Sequence, residues 1–375
     1  MNKLKEYKLN ELYIMSSGIS SSKDQAGVGY PFVSFRDIFN NTILPENLTE
    51  LMNTSDKERI KYSVKKGDVF ITRTSETPDE LAMSSVALKD YPNATFSGFA
   101  KRLRPIDNKK VYDKYMAFYL RSKYFRKIIN ANTIMTLRAS FNEEIFSYIK
   151  IQLPDYETQV KIGNTLYKIE KKILINNQIN NNLEELAYTI FLHDFANKTK
   201  NGTIGDIIKE NEKSKIKVGD AKDIKGEYPF FTSGESILEW NDYLADGRNL
   251  FLNTGGNADV KFYVGKATYS TDTWCITSKN EMSDYLYLYL KTIKDELDRK
   301  FFHGSGLKHL QKPLFKQEKI YIPKHEELKK FNIQVKTMFD TISANKRENQ
   351  RLNSLKEYLL PLLMNGQINV DDIEI

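Results

Sequence analysis

The chain has 375 residues, of which 40% are hydrophobic and 12% aromatic, so it can form real hydrophobic cores and is not expected to be disordered. Lys and Arg number 56 against 49 Asp and Glu, a formal net charge of +7 that is compatible with a polyanionic partner without requiring one. The single cysteine, Cys275, excludes an internal disulfide and a cysteine-based zinc site. A polar N-terminus and the lack of an apolar run of ~18 residues predict a cytoplasmic protein without a membrane segment.

The N-terminal part of the chain predicts a globular unit of short strands over 69–72 and 95–99, separated by turns rich in Gly, Asn and Asp. A helix rich in Tyr and Leu is predicted around 113–130. A long helix over about 155–195 follows, because this stretch contains no Pro and only one Gly. Glu157, near its start, favours initiation there through the positive end of the helix dipole.

The C-terminal part predicts the same order of elements. Strands are expected over 249–253 and 267–269, a Tyr- and Leu-rich helix over 283–301, and a second long helix over 324–364. This helix also opens with the pattern Pro-x-x-Glu, and Pro361 is expected to kink or stop it near its end.

Four pairs of segments resemble each other in the same order along the chain, which indicates an internal duplication. The pairs are 30–32 with 228–230, 67–72 with 248–253, 115–120 with 285–290, and 151–154 with 320–323. We therefore predict an α+β fold with two β-rich domains in tandem repeat, each followed by a long helix. The predicted segments are 1–152 and 198–322 for the domains, and 153–197 and 323–375 for the helices with the C-terminal tail.

Both long helices carry a heptad seam that is apolar except for two asparagines, and these asparagines coincide between the repeats. The seam residues are Ile162, Leu166, Ile169, Ile173, Asn176, Asn180 and Leu183 in the first helix, and Phe331, Val335, Met338, Ile342, Asn345, Asn349 and Leu352 in the second.

The seams predict an antiparallel coiled coil in which Asn176 meets Asn349 and Asn180 meets Asn345, a buried layer that costs stability but fixes register. A parallel pair would also match asparagines, but each helix leads from one domain towards the other, which an antiparallel pair satisfies. Helices of ~40 residues span roughly 60 Å and would hold two domains apart along one DNA duplex. The alternative is two surface helices whose asparagines face water.

Motifs that resemble catalytic sites lack the context that catalysis needs. Residues 302–306 match the Phe-x-Gly-x-Gly pattern of an S-adenosylmethionine (AdoMet) loop, but they follow a charged helix and no Asn-Pro-Pro-aromatic motif exists, so a turn is predicted. Pro154 and Asp155 with Glu170 imitate a metal-dependent nuclease, whose carboxylates must converge from adjacent strands. The four histidines show no metal-ligand spacing, so neither a catalytic residue nor a metal site is predicted.

The duplication and the weak catalytic motifs point to a binding protein. Polar and basic loops beside the predicted strands supply residues that can hold phosphates or base edges, Arg and Lys for guanine and Asn for adenine. The candidate DNA contacts are Thr72, Arg73, Thr74, Ser75, Thr136, Arg138, Asn253, Thr254, Asn257, Lys308 and His309. For each of them, an ordinary solvated loop residue is the alternative.

Over essentially its whole length, the chain resembles the specificity subunit of type I restriction–modification systems. The segments that carry the resemblance are 67–71, 99–105, 151–159 and 320–326. The second unit departs from the first of these, because Arg248 and Asn249 stand where the first unit has Gly67 and Asp68.

The resemblance implies two target-recognition domains that read a bipartite target in double-stranded DNA, with an unread spacer set by the coiled coil. It also implies two AdoMet-dependent methyltransferase subunits docked on the helices, and ATP-dependent restriction/translocase subunits in the complete enzyme. Those subunits would carry the cofactors, and this chain would be a non-catalytic subunit that binds none.

Two other functions stay open at this point. A coiled-coil structural adaptor could bridge two protein copies without contacting DNA, and a self-contained methyltransferase is argued against by the missing catalytic motif. DNA binding that weakens steeply with salt would favour the specificity subunit over the adaptor.

Overall fold

The computed structural model describes residues 4–20, 22–75, 80–132, 139–304, 306 and 308–373. The chain forms two compact units: unit 1 comprises Met1–Ile173 with Arg351–Ile375, and unit 2 comprises Leu174–Gln350. Each unit therefore contains a part of both long helices. By contrast, the segments predicted from the sequence divide the chain at the ends of the long helices rather than within them.

Unit 1 combines short strands and helices with parts of two long helices. Its strands are β1 (Lys5–Lys8), β2 (Tyr13–Ser17), β3 (Ala26–Val33), β4 (Leu51–Met52), β5 (Val69–Thr72), β6 (Thr74–Ser75), β7 (Ser84–Val86), β8 (Thr95–Phe96), β9 (Ala100–Pro105), β10 (Ala139–Ser140) and β11 (Lys150–Leu153). Its helices are α1 (Leu9–Leu12), α2 (Phe35–Asn40), α3 (Asp56–Lys61), α4 (Asp113–Tyr119), α5 (Lys123–Ala131), α6 (Glu143–Tyr148) and α7 (Tyr156–Phe195), the last only as far as Ile173.

Unit 2 repeats this composition and begins with the second part of α7. Its strands are β12 (Gly202–Thr203), β13 (Ile208–Glu210), β14 (Tyr228–Phe231), β15 (Ile237–Trp240), β16 (Arg248–Asn253), β17 (Val260–Val264), β18 (Thr268–Tyr269), β19 (Thr273–Ser278), β20 (Phe302–His303), β21 (His309–Leu310) and β22 (Lys319–Ile320). Its helices are α8 (Ile204–Ile207), α9 (Val218–Ala221), α10 (Ser283–Thr292), α11 (Lys294–Phe301), α12 (Lys312–Lys316) and α13 (His325–Met364), the last as far as Gln350.

The two units contain sheets with matching strand order. A four-stranded antiparallel sheet has the order β2-β9-β5-β7 in unit 1 and β13-β19-β16-β17 in unit 2. A three-stranded sheet, β4-β3-β8 or β15-β14-β18, has a parallel pair in which Phe32 lies opposite Thr95 and Phe230 opposite Thr268. The predicted match of 30–32 with 228–230 thus occupies the same place in both units.

Each four-stranded sheet has two inner strands, and the central strand is defined as β5 in unit 1 and β16 in unit 2. Successive side chains of a strand point to opposite sides, and in these two strands the side chains on both sides are buried. In β5, Val69 and Ile71 belong to the main core of unit 1, whereas Phe70 packs in a second cluster with Phe96. In β16, Phe251 takes the place of Phe70 in a second cluster and stacks on Phe231. The burial of these two strands therefore holds in position the residues that directly follow them in the chain.

The helices differ from the prediction in two ways. Each Tyr- and Leu-rich segment forms two helices rather than one, because Ser122 caps α5 by accepting a hydrogen bond from Phe125 N (3.2 Å), and because α10 ends at the non-helical Ile293. In addition, α13 continues through Pro361 to Met364, so this proline does not stop the helix.

Within unit 2, α7 and α13 run antiparallel and are joined by asparagine side chains. Asn176 Nδ2 donates to Asn349 Oδ1 (2.9 Å), and Asn345 Nδ2 donates to Asn180 Oδ1 (2.8 Å). These are the two pairs that the antiparallel register predicts. Asn176, Asn180 and Asn349 are buried, and Asn345 is half-buried.

The amide pairs are part of a larger polar network on the same two helices. Asn176 Nδ2 also donates to Glu348 Oε2 (2.7 Å), and Asn349 Nδ2 donates to Asn177 Oδ1 (2.8 Å). The network therefore satisfies the Nδ2 groups of Asn176, Asn345 and Asn349, and hydrogen bonding of this kind is the condition under which a buried polar layer is tolerated.

The apolar seam residues lie in the cores of the two units. Those that are buried are Ile162, Leu166, Ile169 and Ile173 in unit 1, and Phe331, Val335 and Ile342 in unit 2. Leu183, Met338 and Leu352 are only half-buried. The buried position beside Met338 is Phe339, which packs edge-on against Phe262 and Tyr287.

The asparagine pairs generate a stability prediction. Asn176→Leu leaves the buried Asn349 Oδ1 without its donor, so we expect the free energy of unfolding to fall by about 1–3 kcal/mol. Replacing Asn176, Asn180, Asn345 and Asn349 together by Leu should raise the thermal midpoint, because the apolar layer no longer requires amides to lose their hydration.

Urea and thermal unfolding of the full chain measure both effects. The control is Asn181→Leu, an exposed position of α7 where a change within about 0.5 kcal/mol is expected. If the single and quadruple variants unfold like the parent, the asparagine layer has no energetic role.

Candidate nucleic-acid interface

In each unit, one group of the residues predicted to contact DNA lies at the end of the central strand of the four-stranded sheet and just after it. In unit 1, β5 ends at Thr72 and the chain continues into β6, which pairs with β10, Ser140 lying opposite Thr74. In unit 2, β16 ends at Asn253, and Gly255 forms a β-bridge with His309. The predicted contacts Thr136 and Arg138 lie outside the described residues.

The same backbone hydrogen bonds hold this strand end in both units. Arg73 N donates to Phe99 O (2.8 Å), and Arg73 O accepts from Phe141 N (2.8 Å). In unit 2, Thr254 N donates to Asp272 O (3.0 Å), and Thr254 O accepts from Leu310 N (3.0 Å). The repeat thus extends from strand order down to individual hydrogen bonds.

In unit 2 these bonds bring two of the predicted loops together. Besides the Gly255–His309 bridge, Gly256 N donates to Lys308 O (3.0 Å). Residues 254–257 and 308–309 therefore lie side by side, although about fifty residues of sequence separate them.

The predicted residues differ in how far their side chains reach solvent. Arg73, Asn257 and His309 are exposed, whereas Thr74, Ser75, Thr254 and Lys308 are half-buried. The exposed three offer a guanidinium, an amide and an imidazole, groups that can donate hydrogen bonds to phosphates or base edges.

Two of the residues predicted to contact DNA, Thr72 and Asn253, have side chains that are buried and already paired within the chain. Thr72 is 0% exposed, and its Oγ1 accepts from Met83 N (3.0 Å). Asn253 is 3% exposed; its Nδ2 donates to Gly255 O (3.2 Å) and Asn257 O, and its Oδ1 accepts from Asp259 N (2.6 Å). Both side chains shape the loop that follows the strand.

Lys308 is engaged in an ion pair with Asp298. The hydrogen bond from this lysine is the main reason why the pKa of the Asp298 carboxyl lies below its ordinary value. To bind a phosphate, the ammonium group must exchange that carboxylate for the DNA, which reduces what the new contact can contribute.

The densest basic run of the sequence serves the fold rather than a ligand. Lys101 is 4% exposed, and its Nζ donates to Ser17 Oγ (2.9 Å) and Glu143 Oε1 (2.7 Å). Arg102 Nη1 donates to Ser63 O (2.6 Å), and burial lowers the pKa of its guanidinium. Because successive side chains of β9 point to opposite faces of the sheet, Lys101 and Arg102 lie on different faces and do not form one basic patch.

The motifs that resemble catalytic sites have structural roles. Phe302 and His303 form a strand that pairs with β21, so the glycines follow a hairpin strand. Asp155 accepts from Thr158 N (2.9 Å) at the start of α7, and Glu170 pairs with Lys356 Nζ (2.6 Å). Among the described residues, no cluster of His, Cys, Asp or Glu could hold a metal ion.

No helix within the described part of the chain is both long and apolar enough to cross a membrane.

The paired amides of the loop after β16 generate a second prediction. Asn253→Ala removes three hydrogen bonds of a buried side chain, so we expect a loss of about 1–3 kcal/mol in the free energy of unfolding and faster hydrogen exchange at Asp259 N–H. Its matched control, Asn257→Ala, alters an exposed side chain and should leave stability within about 0.5 kcal/mol of the parent. Equal stability of the two variants would contradict the scaffold role of Asn253.

Comparison with known proteins gives consistent matches along both repeats. Residues 1–185 and 197–357 each match the type I restriction modification DNA specificity domain. The type I restriction enzyme MjaX specificity subunit of Methanocaldococcus jannaschii is 23% identical over 96% of this chain and 92% of its own length. The MjaIX specificity subunit of the same organism is 23% identical over 94% and 89%.

A solved structure has the same fold. The S subunit of a type I restriction–modification system from M. genitalium superposes with a TM-score of 0.64 at 13% identity, covering 96% of each chain. Because the domain matches together cover most of the sequence, the chain belongs to the family of the type I restriction modification DNA specificity domain and carries two copies of that domain.

Proposed function

We propose that this chain is the non-catalytic subunit that reads a bipartite double-stranded DNA target and directs methyltransferase and restriction subunits to it. The observation that carries this proposal is the repeated strand-end site. Both units hold it with equivalent backbone hydrogen bonds, yet its side chains differ, as expected of two readers with different half-sites.

The chemistry of the exposed side chains supports DNA rather than a protein ligand. Arg73 in unit 1 and His309 and Asn257 in unit 2 are exposed hydrogen-bond donors beside fixed backbone. Guanidinium and amide groups match guanine and adenine edges in the major groove, and donors of this kind also hold phosphates. The formal net charge of +7 lowers the cost of approaching a polyanion.

We assign two methyltransferase subunits and restriction/translocase subunits as partners in the cytoplasm. The AdoMet and ATP chemistry belongs to them, including flipping of the target base. Apolar side chains exposed on α7 are consistent with partner docking on the long helices. They are Leu174 (48% exposed), Ile175 (42%), Ile179 (40%) and Leu186 (48%).

The independence of the two readers is testable by domain exchange. Replacing residues 198–322 with the corresponding segment of a relative should change one half of the methylated sequence and leave the other half unchanged, because each unit has its own strand-end site. Methylome sequencing of cells that express the complete system gives both halves at once. A simultaneous change of both half-sites would contradict the two-reader proposal.

Salt dependence separates the DNA reader from a structural adaptor. With a few phosphate contacts in each unit, the logarithm of the affinity for a duplex should fall linearly with the logarithm of salt concentration, by tenfold or more between ~50 and ~200 mM. Fluorescence anisotropy with a labelled duplex measures this slope for the chain in complex with its methyltransferase subunits. If the chain stays bound to its methyltransferase subunits but does not bind the duplex even at low salt, the result would favour the structural adaptor.

A further inference from the structure

A four-residue turn lies beside the strand-end site of each unit. Residues 97–100 form it in unit 1, closed by a hydrogen bond from Ala100 N to Ser97 O (3.0 Å). Residues 270–273 form it in unit 2, closed by the bond from Thr273 N to Ser270 O (3.0 Å). These are the end-to-end bonds of a β-turn, and both turns lead directly into the strand that pairs with the central strand.

Both turns are anchored to equivalent segments, each of which follows the first strand of the four-stranded sheet in its unit. Gly98 N donates to Ile19 O (2.8 Å), and Thr271 N donates to Ile216 O (2.9 Å). In unit 1 the backbone of the turn lies so close to its neighbour that a Cβ atom on Gly98 would be 2.8 Å from the Ile19 carbonyl oxygen. The anchored backbone fixes the position of the next residue, which is the third of the turn.

The third residue is where the two turns differ most in chemistry. It is Phe99 in unit 1 and Asp272 in unit 2, and both side chains are exposed, Phe99 to 69%. Their carbonyl oxygens accept the hydrogen bonds that hold Arg73 N and Thr254 N. The turn therefore presents one side chain directly next to the site, as an aromatic ring in unit 1 and as a carboxylate in unit 2.

Because its side chain is exposed, Phe99 contributes little to the free energy of folding. A phenylalanine stabilises a protein by about 1.5–3 kcal/mol when it is fully buried, and an exposed ring lacks most of this stabilisation. A single exposed apolar residue is ordinary on a protein surface, so exposure by itself carries no conclusion. The inference about Phe99 rests instead on three features together: an exposed side chain, an anchored backbone, and a backbone hydrogen bond to the residue that starts the candidate DNA-binding segment.

We propose that Phe99 makes an apolar contact with a base in the half-site read by unit 1, and this inference rests on the proposed function. Arg73, Thr74 and Ser75 beside it supply the polar contacts that orient the duplex. A phenyl ring can pack on the methyl group of thymine or insert between base steps. Asp272 instead offers an acceptor suited to the cytosine amino group, so the two half-sites are read by different chemistry.

The test compares Phe99→Ala with Ile106→Ala in the full chain bound to its methyltransferase subunits. Ile106 is also exposed (54%), but it lies past the far end of β9, roughly 20 Å along the strand. Selection from a random duplex library gives the preferred sequence of each complex, and anisotropy with the selected duplex gives its affinity.

We expect Phe99→Ala to weaken binding about tenfold, on the order of one lost base contact, and to relax one half of the selected sequence. The salt slope should stay unchanged, because no phosphate contact is lost. Ile106→Ala should match the parent in affinity and sequence. The thermal midpoint of Phe99→Ala should equal that of the parent, since the ring is exposed.

Phe99→Leu distinguishes the two kinds of base contact, and either result supports the inference. If Leu restores affinity, and if replacing thymine by uracil in that half-site weakens the parent but not Phe99→Ala, the ring packs on a methyl group. If Leu fails to restore it, the contact needs an aromatic ring, as in insertion or stacking.

Unchanged affinity and sequence in Phe99→Ala would overturn the inference while leaving the proposed function intact. A parent complex that selects no sequence at all would overturn both, so the two failures are distinguishable.

Discussion

The candidate interface depends on one backbone constraint that occurs once in each unit. The residue after the central strand, Arg73 or Thr254, uses its N–H to hold a turn and its C=O to hold the segment that returns after the helices. Because both bonds are made by the main chain, they place no demand on the side chains that surround them. The side chains at this position can therefore differ between the units without loss of the scaffold.

The long helices are part of the core of each unit. Leu166 and Leu359 share the main cluster of unit 1, and Phe191 and Phe331 share that of unit 2. A slip in the pairing of α7 with α13 would therefore disturb packing inside both units, beyond the asparagine network itself. For the same reason, a transplanted second domain must keep the apolar contacts that Phe191 and Phe331 offer, or the exchange will fail through folding before it reports on DNA recognition.

The sequence predicts the features that repeat regularly and misses those that depend on distant contacts. The stretches poor in Pro and Gly that follow Pro154 and Pro323 place both long helices to within about one residue of their observed ends, and the internal repeat locates β5 and β16. The burial of Thr72 and Asn253 was not predictable, because it depends on loops that fold back over the strand end. The exposure of Phe99 was likewise not predictable, since an aromatic residue in an apparent strand normally indicates a buried position.

A buried ion pair shows how far the two copies can diverge while keeping the same physical function. In unit 1, Arg104 makes a bidentate contact with the buried Asp68, which precedes β5. In unit 2, the arginine is Arg248, at the start of the equivalent strand, and it makes a bidentate contact with Asp284. Burial raises the pKa of Asp284, and the Arg248 guanidinium opposes that shift.

The second unit thus lacks the Gly-Asp pattern of the first but keeps an ion pair at the equivalent strand, with the arginine on the strand and the carboxylate on α10. A buried carboxylate cannot be left unpaired, because an uncompensated charge in the interior costs several kcal/mol. Removing one partner of either ion pair is therefore expected to destabilise its unit. The turn residues Phe99 and Asp272 support the scaffold in a different way, since their side chains are exposed and their carbonyl groups accept the supporting hydrogen bonds. At this turn the two units keep the same backbone contact and differ in an exposed side chain, so the strand-end site is bordered by different chemistry in each unit without a change in the scaffold.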